Sequence, residues 1–321
     1  MAQMTFNQAI YEAMKQEMLK DPTIFIMGED LKSGLFGMGG AFMQDVGEER
    51  ILDTPLSESA FMGAAVGAAA AGMRPIVQSL SSFVWVAMDQ IVSQAAKMRY
   101  MFGGQAKLPI VYRFSMVWGA RIAAHHSDRP YPMFMNMPGL KIVLATTPAD
   151  AKGLMVTAIR DDDPVIFFED RGVVGLRGEV PDGEYAIPFG VGDIKRQGTD
   201  VTMVALGGMM PRSLAVAEKL AKEGVSVEVV DPRTLVPLDK EIILKSVAKT
   251  GRLVVVDVAH KTCSAASEIA ALVAEQGFWD LRAPVQRVAS HNVHVPFSQA
   301  LEDLVFPDEA RIEAAIRATL Q

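Results

Sequence analysis

VTMVALGGMMPRSLAVAEKLAKEGVSVEVVDPRTLVPLDKEIILKSVAKTGRLVVVDV, residues 201–258, decides the fold class. Three runs rich in β-branched residues, VTMVAL, VSVEVVD and RLVVVDV, are separated by stretches with helical spacing. Near-continuous apolar runs of that length mark strands buried on both faces, and their alternation with helices predicts an open parallel sheet covered by helices. Toward the N-terminus the same alternation continues. Thr5 followed by Gln8 forms a capping-box pattern that opens a helix through MKQEML, and a strand follows over 24–27. Strands at 75–79 and 109–113 flank a helix from 83 to 101, and Thr147, Pro148 and Asp150 open a further helix that ends at Asp161 to Asp163. The strand VIFFE comes next. Between 177 and 200 the pattern breaks at Gly178, Pro181, Gly183, Pro188, Gly190, Gly192 and Gly198, which sets a boundary: one domain over 1–185, a linker over 186–200 and a second domain over 201–321.

Bulk properties agree with two domains, because 321 residues exceed the size at which one core keeps growing. Half the residues are hydrophobic and only 21% are charged, more apolar material than a small monomer needs, so an oligomer or a subunit with a large apolar interface is expected. The 20 methionines read first as soft core filling. A net charge of -7 and the lack of clustered Lys and Arg exclude a nucleic-acid footprint. The chain opens on an amphipathic pattern and holds no run of about 18 apolar residues, so it is expected to be soluble, unsecreted and cytoplasmic. Cys263, the sole cysteine, reads as a small residue near a helix start.

Several chemistries are missing. There is no G-x-G-x-x-G at a strand-to-helix turn, no G-x-x-x-x-G-K-S/T, no His-Glu-x-x-His and no metal-like cysteine spacing. What remains is Glu58 at the start of a helix of small residues running from near Ser57 to Gly72, Phe83 after the next strand, His125 and His126 in a polar loop, the acidic turn Asp161 to Asp163, and Glu29 in a GED turn. The small-residue helix is expected to be buried, and SGLFGMGG over 33–40 to be a loop. Each candidate carries a plainer reading beside the chemical one. Glu58 can support a helix N-terminus through the dipole, Phe83 can be core, His126 can be a loop histidine, Glu29 can be surface, and the Asp run can be a solvated turn.

DTPLSE at 53–58, GAAVGAAAAGMRPI, DQIVSQAAKMRYMFGG, HHS at 125–127, PGLKIV, DAKGLMVTAIRDDDPVIFFE, RTLVPLD and VPFSQALEDL together resemble the β-type E1 subunits of thiamine diphosphate-dependent pyruvate, branched-chain and acetoin dehydrogenases, over nearly the whole chain. The resemblance implies an α/β transketolase-like fold: a pyrimidine-binding domain over 1–185 and a transketolase C-terminal domain over 201–321. It implies that Glu58 hydrogen-bonds N1′ of the cofactor's aminopyrimidine, where a carboxylate favours the 4′-imino tautomer. Phe83 would stack on the pyrimidine, Glu29 would lie near the cofactor, and His126 would face the reacting end. Ile110, Ala158, Asp161 and Asp163 would hold a monovalent cation, K+, mostly through carbonyls. His291 and His294 read as structural or interface residues. Four departures from the family pattern stand out: Gln78 where glutamate is common, a run to Phe83 one residue short, His125 where glutamine is usual, and Asn136 where many relatives have histidine. The Gly-Asp-Gly sequence with downstream Asn-Asn that holds the diphosphate through Mg2+ is absent. The resemblance therefore implies an α subunit bringing those ligands in an α2β2 assembly, with a lipoyl-bearing E2 acyltransferase as acyl acceptor and a 2-oxo acid or acyloin as substrate. The rival is a non-catalytic assembly or regulatory subunit on the same fold. A truncated single-chain transketolase is less expected, because the chain has a natural start and a full C-terminal helix.

Overall fold

The computed structural model describes residues 1–33 and 40–321, with side chains left aside at 40 and 41; the expected glycine-rich loop over 33–40 lies almost wholly outside the described residues. In chain order the elements are β1 (Ala2–Thr5), α1 (Phe6–Lys20), β2 (Ile24–Gly28), α2 (Gly40–Val46), β3 (Ile51–Asp53), α3 (Glu58–Ala70), β4 (Arg74–Leu80), α4 (Ala96–Met101), β5 (Val111–Met116), α5 (Tyr131–Met135), β6 (Lys141–Val143), α6 (Pro148–Arg160), β7 (Val165–Asp170), α7 (Arg171–Val174) and β8 (Arg177–Val180). They continue as β9 (Asp193–Arg196), β10 (Val201–Ala205), α8 (Met210–Ala221), β11 (Val227–Asp231), β12 (Thr234–Val236), α9 (Lys240–Thr250), β13 (Leu253–His260), α10 (Ala265–Gln276), β14 (Gln286–Ser290), α11 (Gln299–Glu302) and α12 (Glu309–Leu320). Two compact units result: Met1–Val117 with Met133–Phe189, and Trp118–Pro132 with Gly190–Gln321.

In the first unit six parallel strands run in the order β6-β7-β5-β4-β2-β3. β3 lies on one side of β2 and β4 on the other, so the chain reverses its direction of travel across the sheet at β2. In such sheets ligands bind outside the carboxyl ends of the strands at the reversal. Helix α1 starts as expected: Thr5 caps it and Gln8 closes the box. Phe6, Ile10, Met14 and Met18 recur at helical spacing on its buried face, joining Leu154, Met155 and Ile159 of α6 in one core. Thr147 caps α6, Pro148 occupies its first turn, and the helix stops at Asp161. At the sheet centre Arg113 of β5 and Glu169 of β7 form a fully buried bidentate pair at 2.6 and 2.9 Å.

The second unit is a five-stranded sheet, β14-β13-β10-β11-β9, parallel except for the edge strand β9. Its core is valine-rich, with Val201, Val227, Val229, Val254 and Val256 all buried, as the quoted stretch predicts. Pairing of β9 with β11 places residues 193–196 inside this sheet, so the expected linker contains a strand.

Two further expectations are corrected. The helix over 83–101 is a 3-10 stretch over Ser81–Ala87, a π-helix over Asp89–Ala95 and only then α4. Helix α3 is not buried all round: Phe61, Met62, Ala65, Val66 and Ala69 are covered, whereas Ala60, Ala64, Gly67 and Ala70 are exposed. By its contacts the segment over 118–132 groups with the second unit. Tyr131 donates to buried Asp257, Arg129 Nε donates to the Val258 carbonyl at 3.1 Å, and Trp118 packs on Phe306 with ring centroids 5.1 Å apart.

Candidate active site

At the carboxyl edge of the first unit, the end of β2 is pressed against β4. A Cβ on Gly28, whose φ is +156°, would lie 2.3 Å from the Gln78 carbonyl oxygen, so only glycine allows the strands to close here. The chain then turns outward into Glu29. From β3, Thr54 N donates to the Gly28 carbonyl at 2.9 Å, and Asp53 accepts from Leu31 N and Lys32 N at 2.7 and 3.0 Å. These bonds fix the turn that presents Glu29 toward Glu58.

Glu58 is the first residue of α3 and is half-buried. Ser57 occupies the cap position without a side-chain capping bond, so Glu58 meets the positive helix end directly. Burial pushes the Glu29 carboxyl up to about 7, aided by the nearby charges of Glu58 and Asp30. Two carboxyl groups from separate elements thus share one electrostatic neighbourhood, and near neutral pH the Glu29 carboxyl retains its proton for part of the time. Among the described residues, three buried oxygens at or near the ends of β2, β3 and β4 have no hydrogen-bond partner: Glu29 Oε1, Thr54 Oγ1 and Gln78 Oε1. Buried acceptors without donors are costly, and such a set fits a ligand that brings N–H groups.

Phe83 sits half-buried in the 3-10 stretch that follows β4. The π-helix after it packs against α3 and stands Gln90 beside Gly63, where an added Cβ would meet Gln90 Cγ at 3.4 Å. π-Helical turns insert an extra residue into helical spacing and recur at functional sites. Gln78 is 2% exposed and donates from Nε2 to Ser115 Oγ at 3.1 Å. A neutral amide therefore stands in the sheet where the family pattern has an acid. Asn136 is exposed just after α5. Gly139 follows with φ +94°, its position forced by the Ala96 carbonyl 2.1 Å from where a Cβ would sit.

His126 belongs to the second unit and ends a 3-10 turn over Ala124–His126, with His125 ring to ring at 6.4 Å. The segment is held from behind. Ala123 adopts φ +56°, Ser127 Oγ donates to its carbonyl at 2.7 Å, and Arg129 donates to the Ser127 carbonyl while its guanidinium lies over Phe306 at 5.0 Å. Arg129, Tyr131 and Asp257 are thus the supports that sequence reading missed. Their roles depend on bonds to β13, far along the chain, which no local pattern signals. His291 and His294 are both exposed, and the His291 carbonyl accepts from the His260 ring at 2.8 Å.

The acidic turn is densely neutralised. Lys141 contacts Asp161 at 2.6 Å and Asp163 at 3.3 Å, Arg99 meets Asp163 at 2.5 Å, and Lys107 and Arg74 meet Asp162 at 2.8 and 2.7 Å. The Asp162 carboxyl is held below its ordinary range by the Lys107 and Arg74 hydrogen bonds. Among backbone acceptors, the Asp161 carbonyl takes Arg74 at 3.1 Å and the Ile110 carbonyl takes Val165 N at 2.9 Å. Ala158 is buried in the last turns of α6. Among the described residues no group of three or more His, Cys, Asp or Glu is arranged to hold a metal ion, and no helix is long and apolar enough to cross a membrane.

Family models match two parts of the chain: the transketolase pyrimidine binding domain over residues 2–176 and the transketolase C-terminal domain over 190–312. The β subunit of acetoin:2,6-dichlorophenolindophenol oxidoreductase from Cupriavidus necator is 49% identical, covering 99% of this chain and 98% of that protein. Its counterpart from Bacillus subtilis is 44% identical over 96% and 94%. The 2-oxoisovalerate dehydrogenase β subunit of Bacillus subtilis is 42% identical over 99% and 98%. A solved structure described as a split gene transketolase, inactive beta4 tetramer, superposes with a TM-score of 0.82 over 99% of this chain and 98% of that one, at 22% identity, a likeness of fold. With two transketolase domains matched in order and full-length identity at these levels, the chain belongs to the family of β subunits of acetoin and 2-oxo acid dehydrogenases.

Proposed function

We propose that this chain is the β subunit of a thiamine diphosphate-dependent acetoin or 2-oxo acid dehydrogenase, supplying the aminopyrimidine half of a site completed by an α subunit. The observation that carries this reading is the Glu58–Glu29 pair at the carboxyl edge of the reversing sheet, where Glu29, Thr54 and Gln78 each hold a buried oxygen without a partner among the described residues. Thiamine diphosphate, when bound, supplies the electron sink for breaking the bond next to the substrate's carbonyl carbon. Glu58 would share a proton at N1′ of the aminopyrimidine from its place at the start of α3. Glu29 would keep that carboxylate from being one of two adjacent full charges, because its own carboxyl is half-protonated near neutral pH. Phe83 would offer the pyrimidine a flat apolar face. His126 would hydrogen-bond or pass a proton to the oxygen that develops charge.

The chain lacks the Gly-Asp-Gly and Asn-Asn sequences for Mg2+ and diphosphate. An α partner would provide them, in an α2β2 assembly whose acyl product passes to a lipoyl-bearing acyltransferase in the cytoplasm. A K+ ion at Ile110, Ala158, Asp161 and Asp163 fits only through carbonyls, because the carboxylates there already face Lys141 and Arg99. A melting temperature equal in potassium and choline chloride would remove that ion.

Glu58→Ala in the complex reconstituted with the α partner tests the reading. It should lower hydrogen exchange at the cofactor's thiazolium C2 by about 10²–10⁴-fold, the range for removing a positioned proton-transfer group, while assembly stays intact. Near-normal exchange would overturn the assignment and favour the non-catalytic subunit instead.

A further inference from the structure

The second unit contains a cavity of ≈ 840 Å³ that the proposed chemistry does not use. It opens at the carboxyl ends of β13 and β14, which pair in parallel and slip register between Val256 and His260. Open α/β sheets place ligands at strand ends of this kind. Its charged lining is Lys261, Arg287 and Arg311, and no carboxylate lines it.

In a chain of net charge -7, several cationic side chains are matched: Arg113, Arg160, Lys141, Lys249 and Arg317 each meet a carboxylate. Among the described residues Lys261, Arg287 and Arg311 make no such ion pair. The two arginines are instead fixed to neutral acceptors. Arg287 Nη1 donates to the Lys261 carbonyl at 2.9 Å and to Ser267 Oγ at 2.6 Å. Arg311 donates from Nη1 to the Phe306 carbonyl at 3.2 Å and from Nη2 to the Ala289 carbonyl at 2.5 Å. Each guanidinium has five N–H donors, so these bonds orient it and leave donors over. A guanidinium pre-positioned in this way loses little entropy on binding, and its unneutralised charge favours an anion. Apolar lining comes from Ala270, Ala271 and Ala274 of α10.

We infer that this cavity binds a small organic phosphate, a monoester dianion held by Lys261, Arg287 and Arg311 with its apolar body against the alanine wall. Three positive charges suit a dianion better than a single carboxylate, and the volume falls within the usual range for small-molecule sites, about 300–1,000 Å³. The inference is independent of the cofactor reading, since none of these residues enters it.

The sole cysteine of the chain, Cys263, is exposed and lines the same cavity, which gives a local reporter. The rate at which iodoacetamide alkylates Cys263 is followed by peptide mass in the complex with the α partner. Phenyl phosphate, inorganic phosphate and sodium chloride are compared at matched ionic strength. Phenyl phosphate should slow alkylation saturably, by about five-fold at four times its Kd if the occupied site is unreactive. Inorganic phosphate should need a higher concentration, and chloride should do nothing. Lys261→Gln, a change at an exposed side chain, and Arg287→Gln should each weaken apparent affinity about ten-fold, the loss of one charge-assisted bond. Equal protection by chloride, or unchanged affinity in both variants, would overturn the site. Equal affinity for phosphate and phenyl phosphate would overturn its organic part. A Cys263 that fails to alkylate in the complex would overturn it as well, because a covered cavity admits no ligand.

Discussion

Glu29 and Glu58 are chemically the same residue, and their difference comes from what surrounds each. The Glu29 carboxyl rises from 4.5 to about 7, first by burial and then by the charges of Glu58 and Asp30. Between those two values the folded chain keeps a proton that the unfolded chain has released. Stability therefore falls as pH climbs through this window and levels off above it. Glu29→Gln should remove that slope: its urea midpoint is expected to gain on the parent chain from pH 5 to pH 8, with most of the change below pH 7. A constant difference across that range would show that Glu29 does not titrate there. At this scale the sequence is legible in part. DTPLSE identifies Glu58 because a helix start and its preceding strand are adjacent in the chain, but the pairing with Glu29 requires that β3 lie beside β2, which no local pattern states. The orphaned oxygen of Thr54 leaves no signal in the sequence for a related reason, and Gln78 stands out there as a departure from the family pattern but not as a buried acceptor.

Elements follow from periodicity wherever one side chain pattern dominates, and they depart from it where distant partners decide. The valine runs of β10, β11 and β13 and the capped starts of α1 and α6 are legible because burial and capping act within a few residues. The 83–101 region is not, since apolar spacing over a few turns cannot distinguish 3-10, α and π turns, whose hydrogen bonds differ in span by one residue. The 118–132 segment is held to the second unit by single bonds to β13 rather than by a periodic face. Asp257 there accepts from Tyr131, from Ala259 N at 2.8 Å and from Ala266 N at 3.2 Å, while burial pushes its carboxyl up. Tyr131→Phe should cost about 1–3 kcal/mol by removing one donor from a buried acceptor, and it should hasten proteolysis within 119–128 while leaving the rest protected. Unchanged cleavage would mean that the tyrosine does not anchor the His126 turn. Inside the first sheet, Arg113→Met should cost about 3–5 kcal/mol because Glu169 is left buried without its partner, and adding Glu169→Leu should recover most of that loss. A double variant as unstable as the single one, by urea denaturation, would assign the cost to packing around Tyr11 and Met14 instead.

Several large apolar side chains stand exposed near the candidate site. Leu56 is 81% exposed two residues before Glu58, and Val86 is 59% exposed three residues after Phe83. The outer face of α3, built of Ala60, Ala64, Gly67 and Ala70, lets another backbone approach closely beside the same site. Exposed apolar residues that border candidate catalytic groups mark a surface meant to be covered, and burying about 25 cal/mol per Å² of it provides a driving force for association. Placed beside the missing Gly-Asp-Gly sequence, this predicts a division of labour. The isolated chain should bind thiamine diphosphate weakly and turn over nothing, whereas co-expression with its α partner should yield a complex that reduces an artificial electron acceptor when given an acyloin or a 2-oxo acid. Leu56→Asp should block assembly, seen by sedimentation, without lowering the melting temperature of the isolated chain, because that side chain is largely solvated there. Screening acetoin, pyruvate and branched 2-oxo acids in that assay reads the effect of Gln78 and Asn136 on the pocket wall. Turnover by the chain alone would overturn the split site, and an assembled complex inert to every such donor would favour an assembly or regulatory subunit.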